Sequence, residues 1–112
     1  MSAEQRKQGR VTGYAKAVFT KTMTPGYLRD LSASGAQVAF MNAVPVAVGN
    51  TVDIRITAVH DPTISVFQIR LTVSWVRNDP LWFSMGGEIH AVADADAENL
   101  RRLVDYYVGA RG

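Results

Sequence analysis

The stretch TVDIRITAV, residues 51–59, decides the fold class. Val52, Ile54 and Ile56 fall on one parity, and Asp53, Arg55 and Thr57 on the other. Successive side chains of an extended chain point to opposite faces, so this segment is a strand with one dry side and one wet side.

The same period extends on both sides. His60, Asp61 and Pro62 break the strand, and a longer one is expected from about Ile64 to Val76, with Ile69, Leu71, Val73 and Trp75 in phase. That phase predicts Trp75 in the core. Asn78, Asp79 and Pro80 turn the chain into residues 81–92, where Leu81, Phe83, Met85, Gly87 and Ile89 alternate. Upstream, AQVAF at 36–40 and a short strand from Tyr27 to Leu31 flank the turn SASG at 32–35. TMTPG at 22–26 reads as another turn, with Pro25 at the early position and Gly26 at the permissive one. Val11, Tyr14, Val18 and Phe19 mark a first strand beginning near Arg10.

After residue 92 the period changes. Leu100, Leu103, Val104, Tyr107 and Val108 recur at helical spacing over about 94–108. Asp94, Asp96 and Glu98 gather at the end where the helix dipole favours acids, and Gly109 stands where a C-terminal cap is useful. Short antiparallel strands followed by one amphipathic helix predict an all-β fold, a small closed or nearly closed barrel with the helix across an opening or flank.

The chain has 112 residues, enough for one domain with one core. Residues 1–9 are polar and end in Gly9, which predicts a flexible basic arm; residues 10–112 then form the single domain. Lys and Arg number 12 against 10 acids. Their distribution is uneven: Arg6, Lys7, Arg10, Lys16, Lys21 and Arg29 face only Glu4 before Asp30 is reached. The N-terminal quarter is thus a candidate anion-facing surface, while a nucleic-acid track would need more charge than the remainder supplies. With no cysteine there are no disulfides, thiolate nucleophiles or thiolate metal sites. The opening MSAEQRKQG carries no apolar segment after its basic residues, and no stretch approaches the roughly 20 apolar residues of a membrane span, so a soluble, cytoplasmic protein is expected.

Two short segments carry chemistry beyond the fold. RKQGR at 6–10 is either a solvated basic arm or, through Arg6 and Arg10, half of an anion clamp. DLSASGA at 30–36, taken alone, reads first as turn residues bonding nearby amides, with Gly35 supplying a positive φ, and alternatively as a carboxylate and a hydroxyl two residues apart that point toward one ligand.

Together, RKQGR and, after a gap of 19 residues, DLSASG resemble the signature of PilZ domains. That signature is an arginine, three residues, an arginine, a spacer, then Asp or Asn, any residue, Ser, two residues and Gly. Arg6 and Arg10 match the first part, and Asp30, Ser32 and Gly35 match the second without substitution. VSW at 73–75 and MGGEI at 85–89 look like the family's late strand pair, with Ile89 where Phe is more usual.

The resemblance implies a six-stranded antiparallel barrel with a C-terminal helix and a non-catalytic receptor for the bacterial second messenger cyclic di-GMP. The residue types suit that ligand. A guanidinium can pair bidentately with phosphate or with the O6/N7 edge of guanine and can stack on a base, whereas lysine lacks the planar fork. Asp30 can accept from the N1 and N2 hydrogens of guanine, Ser32 can bond a base edge or phosphate, and Gly35 keeps a β-carbon out of the way. The implied mechanism is ordering of the arm by ligand and an altered surface for an unidentified protein partner. The alternative is a protein-interaction module of the same fold that does not bind the nucleotide.

No cofactor or metal is expected, and cyclic di-GMP is treated as a regulatory signal. His60 and His90 lack the spacing of a metal or acid–base pair and read as structural or surface residues. Neither GNT at 49–51 nor the Gly86, Gly87 pair has the remaining residues of a phosphate loop, and no G-x-S-x-G elbow occurs, so no catalysis is expected. Trp82, on the opposite parity to Leu81 and Phe83, would be a partner-binding anchor if exposed.

Overall fold

A computed structural model describes residues 15–111. Its elements run β1 (Ala15–Phe19), β2 (Thr24–Leu31), β3 (Gly35–Phe40), β4 (Thr51–Ala58), β5 (Phe67–Asn78), β6 (Phe83–Val92) and α1 (Asp94–Arg111). The strands close in the order β1-β2-β3-β6-β5-β4, every pair antiparallel. Two three-stranded meanders, β1-β2-β3 and β4-β5-β6, are therefore joined along both edges. Closure leaves no unpaired strand edge among the described residues.

The alternation of residues 51–59 fills the barrel as its sequence predicts. Ile54, Ile56 and Ala58 are buried, and Val52 packs partly against the same core. Ile69, Leu71 and Val73 face them from β5, and Phe19 meets Phe40 edge-to-face with centroids 6.2 Å apart. Each such aliphatic or aromatic side chain contributes about 1.5–3 kcal/mol when removed from water.

Helix α1 packs on β2 and β5, which lie three steps apart around the six-stranded ring, so it crosses the barrel mouth. Leu100, Leu103 and Tyr107 form its buried stripe. The Tyr107 hydroxyl donates to the Leu28 carbonyl of β2 at 2.6 Å, and Arg102 ties the helix to Asp61 at 3.2 Å in the β4–β5 loop.

Several local expectations change. The first turn lies at residues 20–23, where Met23 takes a φ of 55°, and Pro25 and Gly26 are already in β2. Gly26 is required by crowding: a Cβ there would lie 2.3 Å from the Ala39 carbonyl oxygen and 2.5 Å from the Phe40 ring. Strand β5 begins at Phe67 rather than Ile64, although Ile64 is buried from the loop. Leu81 is in the β5–β6 turn and 77% exposed, because the bond from the Asp79 amide to the Trp82 carbonyl (2.8 Å) delays β6 to Phe83. The helix runs through Gly109 without a left-handed residue there, and Val108 is exposed. The arm at 1–9, with Arg10, Val11 and Tyr14, lies outside the described residues.

Candidate functional site

In β2 the two buried leucines, Leu28 and Leu31, are three residues apart, an interval that a regular strand would split between its two faces. The register explains how both enter the core. Leu28 pairs with Val38 and Asp30 with Gln37, so Arg29 is an extra residue in a β-bulge. The bulge inverts parity within one step. Without it Asp30 would share the inward face of Leu28, at the large cost of burying a carboxylate. With it Asp30 turns outward, half-buried, opposite the exposed Gln37.

The hairpin that follows is held by its own polar groups. The Ser32 amide donates to the Gly35 carbonyl at 2.9 Å, and the Gly35 amide donates to Ser32 Oγ at 3.1 Å. The Leu31 amide donates to Asp30 Oδ1 at 2.9 Å, and the Ile89 amide to the Ser34 carbonyl at 2.7 Å, which anchors the turn to β6. These bonds orient both side chains before any ligand arrives. Gly35 does not adopt the positive φ that the turn reading expects; its Cβ would instead lie 3.0 Å from the Gly87 carbonyl oxygen, so the demand at this position is close approach between β3 and β6.

Strand β5 contains a second bulge with the same effect. Val73 pairs with Gly87 and Trp75 with Gly86, leaving Ser74 extra. The inner face passes from Val73 to Val76, and Trp75 swings to the outer wall. The sequence expectation that Trp75 is core is thus overturned: it is half-buried, lying flat over Gly86, where a Cβ would be 2.5–2.6 Å from three indole atoms. The Arg77 guanidinium stands 5.7 Å from the indole centre.

The two bulges place Asp30 and Trp75 on one groove of about 320 Å³, with Ser32, Gly35 and Glu88 on its walls. Small-molecule sites span roughly 300–1,000 Å³, so this groove lies at the small end of that range. The charges on its described lining are the carboxylates of Asp30 and Glu88. Such a lining accepts N–H donors and offers an aromatic face; phosphates need cations from elsewhere. Arg6 and Arg10, which the sequence assigns to that task, lie outside the described residues.

Trp75 is the residue that strand parity misses, and Glu88, outward by parity, is a groove residue that the motif does not contain. For Trp75 one signal was available: an aromatic opposite a glycine pair, Gly86 and Gly87, is the pattern of a ring covering a cross-strand glycine. Elsewhere, His60 stacks on Tyr106 with centroids 3.6 Å apart, and His90 is exposed at an irregularity in β6. Trp82 is half-buried, edge-on to Tyr27 at 5.2 Å. Among the described residues no group of three or more His, Asp or Glu could hold a metal, and no helix is long and apolar enough to cross a membrane.

The described residues thus form a closed six-stranded barrel with a C-terminal helix and a groove on its outer wall. The PilZ domain profile matches residues 4–106, nearly the whole chain and including both arginines, and the chain belongs to the PilZ domain family. PilZ domains are generally cyclic di-GMP receptors. Among solved structures, the fold is similar to that of the Bacillus subtilis inhibitor of motility (MotI/DgrA), with a TM-score of 0.64 and 16% identity. The alignment covers 87% of this chain and 45% of that one, so this chain spans less than half the length of that protein. The search of curated proteins gave no match.

Proposed function

We propose that this protein is a cyclic di-GMP receptor acting in the cytoplasm, in which Asp30 and Ser32 read a guanine on the barrel wall and Arg6 and Arg10 close over the phosphates and bases. The observation that carries the reading is the pair of bulges that turn Asp30 and Trp75 out of the barrel and onto one groove. A guanine edge presents the N1 and N2 hydrogens that a carboxylate accepts, and its π face can stack on an aromatic ring such as an indole. The groove is at the small end for a ligand site and has no cation among its described lining residues, which fits a division of labour between barrel and arm.

On this reading the output is ordering of residues 4–10 by ligand, which changes the surface presented to a protein partner. Calorimetric titration with cyclic di-GMP tests it, with GTP, cyclic di-AMP and short RNA as competitors. Saturable binding that none of the three displaces is expected. No heat and no chemical-shift change at Asp30, Ser32 and Gly35 would overturn the receptor function in favour of the same fold used as a protein-interaction module.

A further inference from the structure

The groove is not held by the barrel alone. Tyr107, on the last turns of α1, is 2% exposed, and its hydroxyl donates at 2.6 Å to the carbonyl of Leu28. Leu28 is the residue immediately before the bulge at Arg29, and Asp30 is the residue immediately after it. We propose that Tyr107 is a positioning residue for Asp30: by fixing the Leu28 peptide it sets the bulge, and the bulge sets which way the carboxylate faces. The proposal rests on the receptor reading above and adds the C-terminal helix to the ligand site.

The physical argument has three steps. A bulge interrupts a strand ladder and leaves the flanking peptides with fewer fixed partners, so its geometry depends on what else they bond. A buried carbonyl is costly to leave without a donor, which makes a buried phenol an effective clamp on that peptide. The apolar residues on either side, Leu28 and Leu31, are buried at 1% and 2% exposure, so the remaining freedom is rotation of the peptides between them, which are those carrying Arg29 and Asp30. The same bond couples the two regions in both directions: a ligand that tightens the bulge also tightens the helix, which lies across β2 and β5 at the barrel mouth.

Tyr107→Phe removes the donor while keeping the ring in the core. In the free protein the expected result is faster exchange and shifted resonances for the amides of Leu31, Ser32 and Gly35, which donate to Asp30 Oδ1, the Gly35 carbonyl and Ser32 Oγ, with the β4–β5 ladder unchanged. With ligand, cyclic di-GMP affinity should fall by about tenfold, or ~1.4 kcal/mol, with no matching change in the response to cyclic di-AMP. Leu100→Ala, on the same helix without this hydrogen bond, is the control for simple loosening of the helix. Equal loss of cyclic di-GMP selectivity in both variants, or unchanged Leu31–Gly35 amides in Tyr107→Phe, overturns the positioning role. Wild-type protein that binds no cyclic di-GMP while the Tyr107→Phe amides shift as expected would refute the receptor reading and leave the link between helix and bulge standing.

Discussion

Gly86 and Gly87 are adjacent in β6, and both oppose β5 at its bulge, yet adding a methyl group at each has different consequences. At Gly87 the new Cβ would lie 1.9 Å from the Thr72 carbonyl oxygen, 2.8 Å from its carbon and 3.0 Å from the Ser74 nitrogen, all backbone. Carbon–oxygen contacts begin near 3.3 Å, so β5 must retreat by about 1 Å or more where its ladder is already interrupted. Overpacking of that kind costs about 1–3 kcal/mol, and the ladder bonds it opens add about 1 kcal/mol each. At Gly86 the atoms met are the Trp75 indole, at 2.5–2.6 Å, and a side chain on the outer wall can swing away. Gly87→Ala should therefore lower the melting temperature by more than about 10 °C, and Gly86→Ala by less than half of that. Urea and thermal melts of both variants, of Trp75→Ala and of the two double variants measure the coupling. Gly86→Ala and Trp75→Ala should couple by about 1 kcal/mol, since the second removes the clash of the first, whereas Gly87→Ala and Trp75→Ala should add within about 0.5 kcal/mol. A Trp82→Phe background isolates Trp75 emission, which should shift to the red in Gly86→Ala. Equal destabilisation by the two alanines, or strict additivity of the Gly86 and Trp75 changes, would show that the ring does not lie where the groove requires it.

Arg6→Ala or Arg10→Ala should each weaken cyclic di-GMP binding by two or more orders of magnitude while circular dichroism stays unchanged, because a bidentate charged contact comprises hydrogen bonds of about 1.5–3 kcal/mol each; unchanged calorimetric affinity in both would remove them from the site. Saturating ligand should also slow amide exchange from Glu4 to Arg10 and leave residues 51–59 unaltered, and tight binding with no slowing there would refute the clamp. Asp30→Asn should reduce cyclic di-GMP affinity more than cyclic di-AMP affinity, whereas a groove that merely attracts anions would bind both better once a carboxylate is lost. The Asp61 carboxyl is held below its ordinary pKa, first by hydrogen bonds from the Thr63 hydroxyl and amide and less by the charges of Arg102 and His60. A depressed folded-state value stabilises the fold above the unfolded pKa near 4 and is lost as pH falls through the folded value, so Thr63→Val should raise the Asp61 titration midpoint by NMR and move the onset of acid unfolding upward.

The six strands and the helix were legible because their signals are local. Alternation at Val52, Ile54 and Ile56, the tripeptide Asn78-Asp79-Pro80, and the spacing of Leu100, Leu103 and Tyr107 each follow from the geometry of one segment, whatever it packs against. So did the grouping of Asp30, Ser32 and Gly35, since residues this close in sequence share a hairpin. The turn before β2 was misplaced because Pro25 and Gly26 have two uses, and the Phe40 ring across the sheet selects the extended one.

What one segment cannot specify is a mismatch between two. A bulge exists only relative to a partner strand: Arg29 is an extra residue because β3 supplies no residue to oppose it, and Ser74 because β6 supplies none either. Past each bulge the parity inverts, so correct reading of the strand's beginning gave the wrong face for Trp75 at its end. The sequence by itself thus determined the strands and the dry faces of their unbulged stretches. Tertiary pairing decided that Asp30 and Trp75, 45 positions apart, leave the barrel on the same side and meet at one groove, because side-chain direction in a sheet is counted from the neighbouring strand as well as along the chain.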